Sequence, residues 1–294
     1  MEVGILEFNG DSFNRFEVSN DCFDQSAYRQ FAEAAADMST NDLPDDPRPL
    51  TAWRFASTRW SIVAAAGRKE SAEARAALAV LCQTYWYPLY AYARRRLARP
   101  DDARDLTQEF FAQLLEKDYL QDADPRRGKF RSFLVTAFQR FLAREHARST
   151  AQKRGGHRRP LSLEFQHGEH RYRHEPADLT TPETLYERRW ALTLLEQALV
   201  RLRQEFTASG KERLFEALKG TLTGDGTGEP YERIGRDLGL SESAVKTAAH
   251  RLRRRYQELL RAEVAQTVAS PEEVEDELRD LFAAVRREKS QSGR

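Results

Sequence analysis

The sequence predicts an all-α protein, and three features carry that prediction. Isoleucine occurs three times and valine eleven in 294 residues, while alanine, leucine, arginine and glutamate dominate, so the β-branched residues that a sizeable sheet needs are scarce. Beyond residue 58, apolar side chains recur at helical spacing. Two of these stretches, at Thr181-Pro182 and Ser270-Pro271, open on a capping residue followed by proline. At roughly 100 to 200 residues per domain, the length suits two modest domains.

Charge and hydropathy exclude some classes. Charged residues make up 32% of the chain and mean hydropathy is −0.72. The longest apolar run, Ala76 to Cys82, is seven residues, far short of the ~20 a spanning helix needs, so no membrane is expected as a partner. The acidic start does not read as an export signal. Cys22 and Cys82 are then expected as reduced thiols in the cytoplasm, too few for a zinc framework.

Lys and Arg number 47 against 46 Asp and Glu, a net of +1 that hides a polarised chain. Residues 1–48 hold eleven acids and three bases, a net of −8, and residues 126–174 hold thirteen bases and three acids, a net of +10. Residues 231–261 carry eight bases and four acids, with most of the bases after Lys246. A single basic run can be a solvated face; two, each beside a helical pattern, favour a polyanion partner.

Taken in order, residues 1–50 read as an acidic, disordered extension ending in a proline-rich stretch, with Met38 as an alternative start. From Thr58 to Arg99 the pattern is helical, with Ala77, Val80, Leu81, Tyr85 and Leu89 on one side and an adjustment at Pro88. Asp101 or Asp102 can cap the next helix, which buries Ala103, Leu106, Phe110 and Leu114 and presents Asp102, Asp105, Gln108 and Glu109 as an acidic ridge. A third helix spans Lys129 to about Arg148, with phenylalanines at 130, 133, 138 and 141 interleaved with Lys129, Arg131, Arg140, Arg144 and Arg148. Cations beside aromatics can hold a nucleic-acid backbone and stack unpaired bases, although spacing assigns at least half of these rings to a core.

Residues 151–180 have little period and read as a basic linker. Thr181-Pro182-Glu183 opens a helix through Trp190, Leu194, Leu195, Ala198 and Leu202, a second follows through Leu214, Phe215 and Leu218, and Thr223 to Glu229 is a glycine-rich loop. Between Tyr231 and Tyr256, Ile234 and Leu238 pack one short helix, Gly239 turns the chain and Ser241 caps the next. Val245, Ala249, Leu252 and Tyr256 then face inward, the spacing of a helix-turn-helix. Its outward residues, Glu242, Ser243, Lys246, Thr247, His250, Arg251 and Arg254, mix base-edge readers with phosphate contacts. Ser270-Pro271-Glu272-Glu273 reads as a capping box for a terminal helix through Val274, Leu278, Leu281 and Val285.

Signals for covalent chemistry are weak. Gly224, Gly226 and Gly228 precede no Lys-Ser/Thr, and no nucleophile elbow occurs. His167, His170 and His174 have spacings that could ligate zinc, yet lack nearby cysteine or carboxylate partners. The expectation is a non-enzyme without metal or cofactor.

The order of these pieces resembles a bacterial RNA polymerase sigma factor of the extracytoplasmic-function type, in the sigma-70 family. The resemblance rests on Tyr85-Trp86-Tyr87-Pro88-Leu89-Tyr90, Asp102 through Phe111, Gly128 through Leu134, and Ile234 through Arg254, and covers about residues 58–265. It implies a sigma region 2 domain at 55–150, a basic linker at 151–180, a region 4 helix-turn-helix domain at 181–266, and a C-terminal helix at 270–288. By this resemblance Asp102, Asp105, Gln108, Glu109 and Phe110 would dock on core RNA polymerase, at its β′ subunit, with β as a further partner. Lys129, Phe130, Arg131, Phe133, Gln139, Arg140, Arg144 and Arg148 would open and read the minus-ten promoter element. Lys153, Arg154, Arg158 and Arg159 would track nucleic acid along the linker. Ser241, Ser243, Lys246, Thr247, His250, Arg251 and Arg254 would read the minus-thirty-five element.

The chain departs from the family pattern at Arg104, where an acid is common, and at Arg140 and Arg144, where Asn and Asp are common. Regulation by an anti-sigma factor, by the terminal helix or by phosphorylation of Thr107 fits the same picture. The rival readings are a stand-alone helix-turn-helix regulator that binds duplex DNA without polymerase, and a metal-dependent enzyme built on the linker histidines with Asp105 and Glu109.

Overall fold

The computed structural model describes residues 72–115, 129–151, 166–173, 175, 181–222, 230–268 and 270–286. Among them every regular element is helical: α1 (Ala72–Arg96), α2 (Pro100–Leu115), α3 (Phe130–Ala151), α4 (Gln166–Arg173), α5 (Pro182–Ala208), α6 (Glu212–Leu218), α7 (Tyr231–Leu238), α8 (Glu242–Ala265) and α9 (Val274–Arg286). Short 3-10 turns, Lys219–Leu222 and Pro271–Glu273, extend α6 and lead into α9. None of these helices is long and apolar enough to cross a membrane.

Residues 1–50, the stretch 58–71, the glycine-rich loop and the linker cations Lys153, Arg154, Arg158 and Arg159 lie outside the described residues. So do the side chains of Ala77, Val80, Leu81, His167, His170 and His174.

The first three helices pack as their apolar spacing predicts. Ala103, Phe110, Phe111 and Leu114 of α2 are buried with Phe130, Leu134, Phe138 and Phe141 of α3 and Tyr85, Leu89 and Tyr92 of α1. Phe110 is the hinge of this core, its ring centroid 4.9 Å from Phe138 and 5.6 Å from Phe141. α1 continues through Pro88 and ends where Arg94 Nη1 donates to the Leu97 carbonyl at 2.9 Å. α2 starts at Pro100, before either expected cap, so Asp101 and Asp102 lie in its first turn instead of capping it.

α5 is the central strut, packed against α1, α8, α9 and α6. Its start follows from the sequence: Thr181 Oγ1 accepts from the Thr184 N–H at 3.1 Å with Pro182 in the first turn. Buried Trp190, Leu194, Leu195, Ala198 and Leu202 carry the core from α1 to Val245, Leu252 and Tyr256 of α8 and Leu281 and Val285 of α9, as one continuous apolar cluster. Tyr256 Oη donates to the Leu195 carbonyl at 3.1 Å, which satisfies a buried hydroxyl at the α5–α8 contact.

Two expectations change. Part of the expected basic linker is helix α4, held on α1 by side chains. Arg94 Nε donates to Glu169 at 2.9 Å, Tyr90 Oη donates to Glu169 at 2.7 Å, and the Arg171 guanidinium lies 4.2 Å from the Tyr87 ring centre. A Cβ on Gly168 would stand 3.3 Å from Trp86 and Tyr90, so α4 rests flush on those rings. The second change is at Ser270, which makes no side-chain hydrogen bond to the α9 backbone. Its hydroxyl instead bonds Glu272 and holds that carboxyl below its usual range, and one 3-10 turn replaces the capping box.

Candidate nucleic-acid interface

Four surfaces were expected to carry function; the linker cations lie outside the described residues, and the fold treats the other three differently. On α2, Asp102 and Asp105 are exposed and Glu109 is half-buried, all on one face because positions i, i+3 and i+7 align on a helix. Arg104 sits within this ridge, 3.1 Å from Asp101 and 3.3 Å from Asp105, and Arg99 reaches to 4.0 Å of Asp102. Gln108 is not on the ridge: it is 8% exposed and turns inward beside Thr107. Phe110 is fully buried in the core, so its ring offers no docking surface. Thr107 is also fully buried, its hydroxyl donating to the Ala103 carbonyl at 2.7 Å, which removes it as an accessible phosphorylation site.

α3 is divided along its length. Over its second half, Arg140, Arg144 and Arg148 are exposed, with Arg148 paired to Glu145 at 2.7 Å. Gln139 donates to Glu183 at 3.2 Å. At its N-terminal end, Phe130 is buried against Tyr85 and half-buried Phe133 packs on the same core, so neither ring is presented to a base.

Arg131, expected at a phosphate, is 7% exposed and enclosed by carboxylates. Its Nε donates to Glu277 Oε1 at 2.9 Å, and its Nη2 to Glu277 Oε2 at 3.2 Å and to Asp280 at 2.7 Å. Nη1 pairs with Glu187, and the guanidinium stacks 4.6 Å from the centre of Trp190. Lys129 meets the same two α9 acids, at 2.6 Å from Glu277 and 2.7 Å from Asp280.

Burial alone would lower Lys129 and Arg131, but the facing carboxylates outweigh it and raise both. Asp280 is pushed up by partial burial, and the Lys129 hydrogen bond with the charges of Lys129, Arg131 and Arg279 overcomes this and holds it below its ordinary value. The backbone joins in: Tyr186 Oη donates to the Arg131 carbonyl at 2.9 Å, and the Phe130 N–H reaches the Thr267 carbonyl at 3.4 Å. Sequence reasoning missed Glu187, Glu277 and Asp280. The available signal was a pair of acids at i and i+3 flanking the apolar stripe of α9.

On the fourth surface, the two helices and the turn between them follow the spacing. α7 ends at Gly239, which adopts a φ of 67°, and the Leu240 N–H returns to the Gly235 carbonyl at 2.8 Å. Ser241 caps α8 by accepting from the Ala244 N–H at 3.2 Å. Val245, Ala249, Leu252 and Tyr256 are buried, while Ser243, Lys246, Thr247, His250, Arg251 and Arg254 are exposed along one side. Lys246 pairs with Glu242 at 2.8 Å, an exposed contact that raises its pKa, and Arg254 with Glu258 at 3.3 Å. Such solvated pairs exchange readily for phosphate.

Comparison with known families finds that residues 82–152 match sigma-70 region 2. No curated protein and no solved structure matches the chain. The matched span holds the last part of α1 together with α2 and α3, the acidic ridge and the exposed arginines of α3 among them, and this similarity supports a sigma factor of the sigma-70 family.

Proposed function

We propose that this chain is a transcription initiation factor of the extracytoplasmic-function type, which brings core RNA polymerase to a subset of promoters and performs no covalent chemistry itself. One observation carries the reading: the segment similar to sigma-70 region 2 is the one that presents Asp102, Asp105 and Glu109 outward on α2. The ridge docks on the polymerase β′ subunit, where exposed charge gives orientation and a fast approach. Arg140, Arg144 and Arg148 contact the minus-ten element, the cations at 153, 154, 158 and 159 follow the strand, and the outer face of α8 reads the minus-thirty-five element in a major groove, with β beside it.

The test is transcription in vitro with sigma-free core on fragmented genomic DNA. Discrete starts that need this chain support the proposal. Asp105→Lys with Glu109→Lys should then abolish co-elution with core at unchanged helicity, and retained co-elution would reject the docking role. The exposed α8 face would also serve a stand-alone regulator, which predicts tight duplex binding by the chain alone and no starts.

A further inference from the structure

The N-terminal end of α3 brings two cations toward the region where the proposed minus-ten contact lies, and both are already occupied. Glu277 and Asp280 place carboxylate oxygens 2.6 to 3.2 Å from Lys129 Nζ and the Arg131 guanidinium, the distances at which phosphate oxygens would sit. Glu277 is fully buried in this contact and Arg131 nearly so. Buried ion pairs are poor glue compared with apolar packing, because desolvating both charges cancels much of their attraction. α9 already has an apolar anchor of its own, with Val274, Leu278, Leu281 and Val285 buried within the core that α5 and α8 share. The two acids therefore do something the anchor does not: they face α3 across a polar joint and neutralise its cations.

We propose that α9 is an acidic clasp, an internal stand-in for a nucleic-acid backbone that competes with single-stranded DNA for Lys129 and Arg131. The clasp rests on the reading of α3 as a nucleic-acid-binding helix. It leaves Arg140 and Arg144 exposed, so it removes a defined part of the footprint instead of covering the whole helix. Glu187 of α5 holds Arg131 from a second side and remains when the α9 acids are removed.

The experiment measures binding of the full chain to a fluorescein-labelled single-stranded oligonucleotide by anisotropy, over a salt series. Three variants are compared with the parent: Asp280→Asn, Glu277→Gln with Asp280→Asn, and a charge-matched control, Glu275→Gln with Asp276→Asn. The control acids sit on the same helix but pair with Arg261 and Arg279, away from α3. Each added phosphate contact steepens the log–log salt slope by about 0.7 on single strands. The double clasp variant should therefore steepen it by about 1.4 and tighten low-salt binding several-fold beyond the control.

Asp280 is half exposed, and its removal leaves Arg131 with Glu187 and Glu277. The single variant therefore keeps its fold even if the double variant does not, and it should give about half the slope change. Equal slopes in clasp and control variants, or no measurable binding by any of them, overturn the clasp. Transcription with core, run on the same proteins, separates the two proposals. Starts without a slope change keep the initiation reading and sink the clasp, whereas a slope change without starts does the reverse.

Discussion

Gly235 and Gly239, four residues apart at the α7–α8 turn, are glycine for different reasons. At Gly239 a Cβ would meet nothing within 4 Å, and only its φ of 67° disfavours a side chain. At Gly235 the backbone is ordinary, but a Cβ would stand 2.6 Å from the Leu240 carbonyl oxygen, which belongs to the turn and cannot swing aside. Gly239→Ala should therefore cost about 1 kcal/mol, a backbone penalty that Asn in its place partly relieves. Gly235→Ala should cost roughly 1–3 kcal/mol, as overpacking does, and it should displace α8 relative to α7. Urea midpoints of the two variants check this. A Gly235→Ala chain as stable as the parent would mean that the helices do not approach so closely.

The same distinction between local and distant causes holds for whole elements. The start of α8 is written locally, and Ser241 serves there both as the cap and as a proposed DNA contact. Ser241→Ala should lower stability by about 1 kcal/mol, whereas Ser241→Asp keeps the capping acceptor and places a negative charge at the groove. If both proposals hold, the Asp variant melts like the parent and binds duplex DNA worse, and equal duplex binding by parent and Asp variant would remove Ser241 from the interface. Elements with local causes were the legible ones: Thr181 with Pro182 at α5, Gly239 and Ser241 at the turn, the apolar faces of α2 and α8. α4 was not legible because its eight residues have no apolar period of their own, and Arg94, Tyr90 and Tyr87 hold it from 75 to 84 residues away in sequence. The enclosure of Arg131 was illegible for a related reason. Its partners lie 56, 146 and 149 residues downstream, and a cation near a helix start looks the same in sequence whether it faces solvent or Glu277.

At the scale of the molecule, carboxylates join helices that are remote in sequence, and three of them are held below their ordinary values. Glu169 joins α4 to α1, Glu205 joins α5 to α8 through Arg255 at 2.7 Å, and Asp280 joins α9 to α3. Hydrogen bonds from Arg94 and Arg255 depress Glu169 and Glu205, and Asp280 is depressed as described above. A carboxylate depressed in the folded state contributes stability above its unfolded value, near pH 4, and loses that contribution as pH falls through the lower folded value.

The alkaline side mirrors this. Burial raises Tyr85, Tyr87, Tyr90 and Tyr186 above the ordinary phenol range, so the stability linked to their neutral forms is present below about pH 10 and is lost as pH climbs through the raised values. The thermal midpoint should be level from about pH 5 to pH 9 and fall on either side. Glu205 and Asp280 are 41% and 50% exposed, so solvent screens their pairs and the acid limb should be the shallower for each group. Melting followed by far-UV circular dichroism from pH 3 to pH 11 measures both limbs. In the Glu277→Gln with Asp280→Asn variant the acid limb should flatten, whereas the alkaline limb should soften only in part, because burial of the tyrosines persists while the Glu277 charge that also raises Tyr85 and Tyr186 is gone. An acid limb identical in parent and variant would mean that the α9 acids add nothing to the joint between α9 and α3.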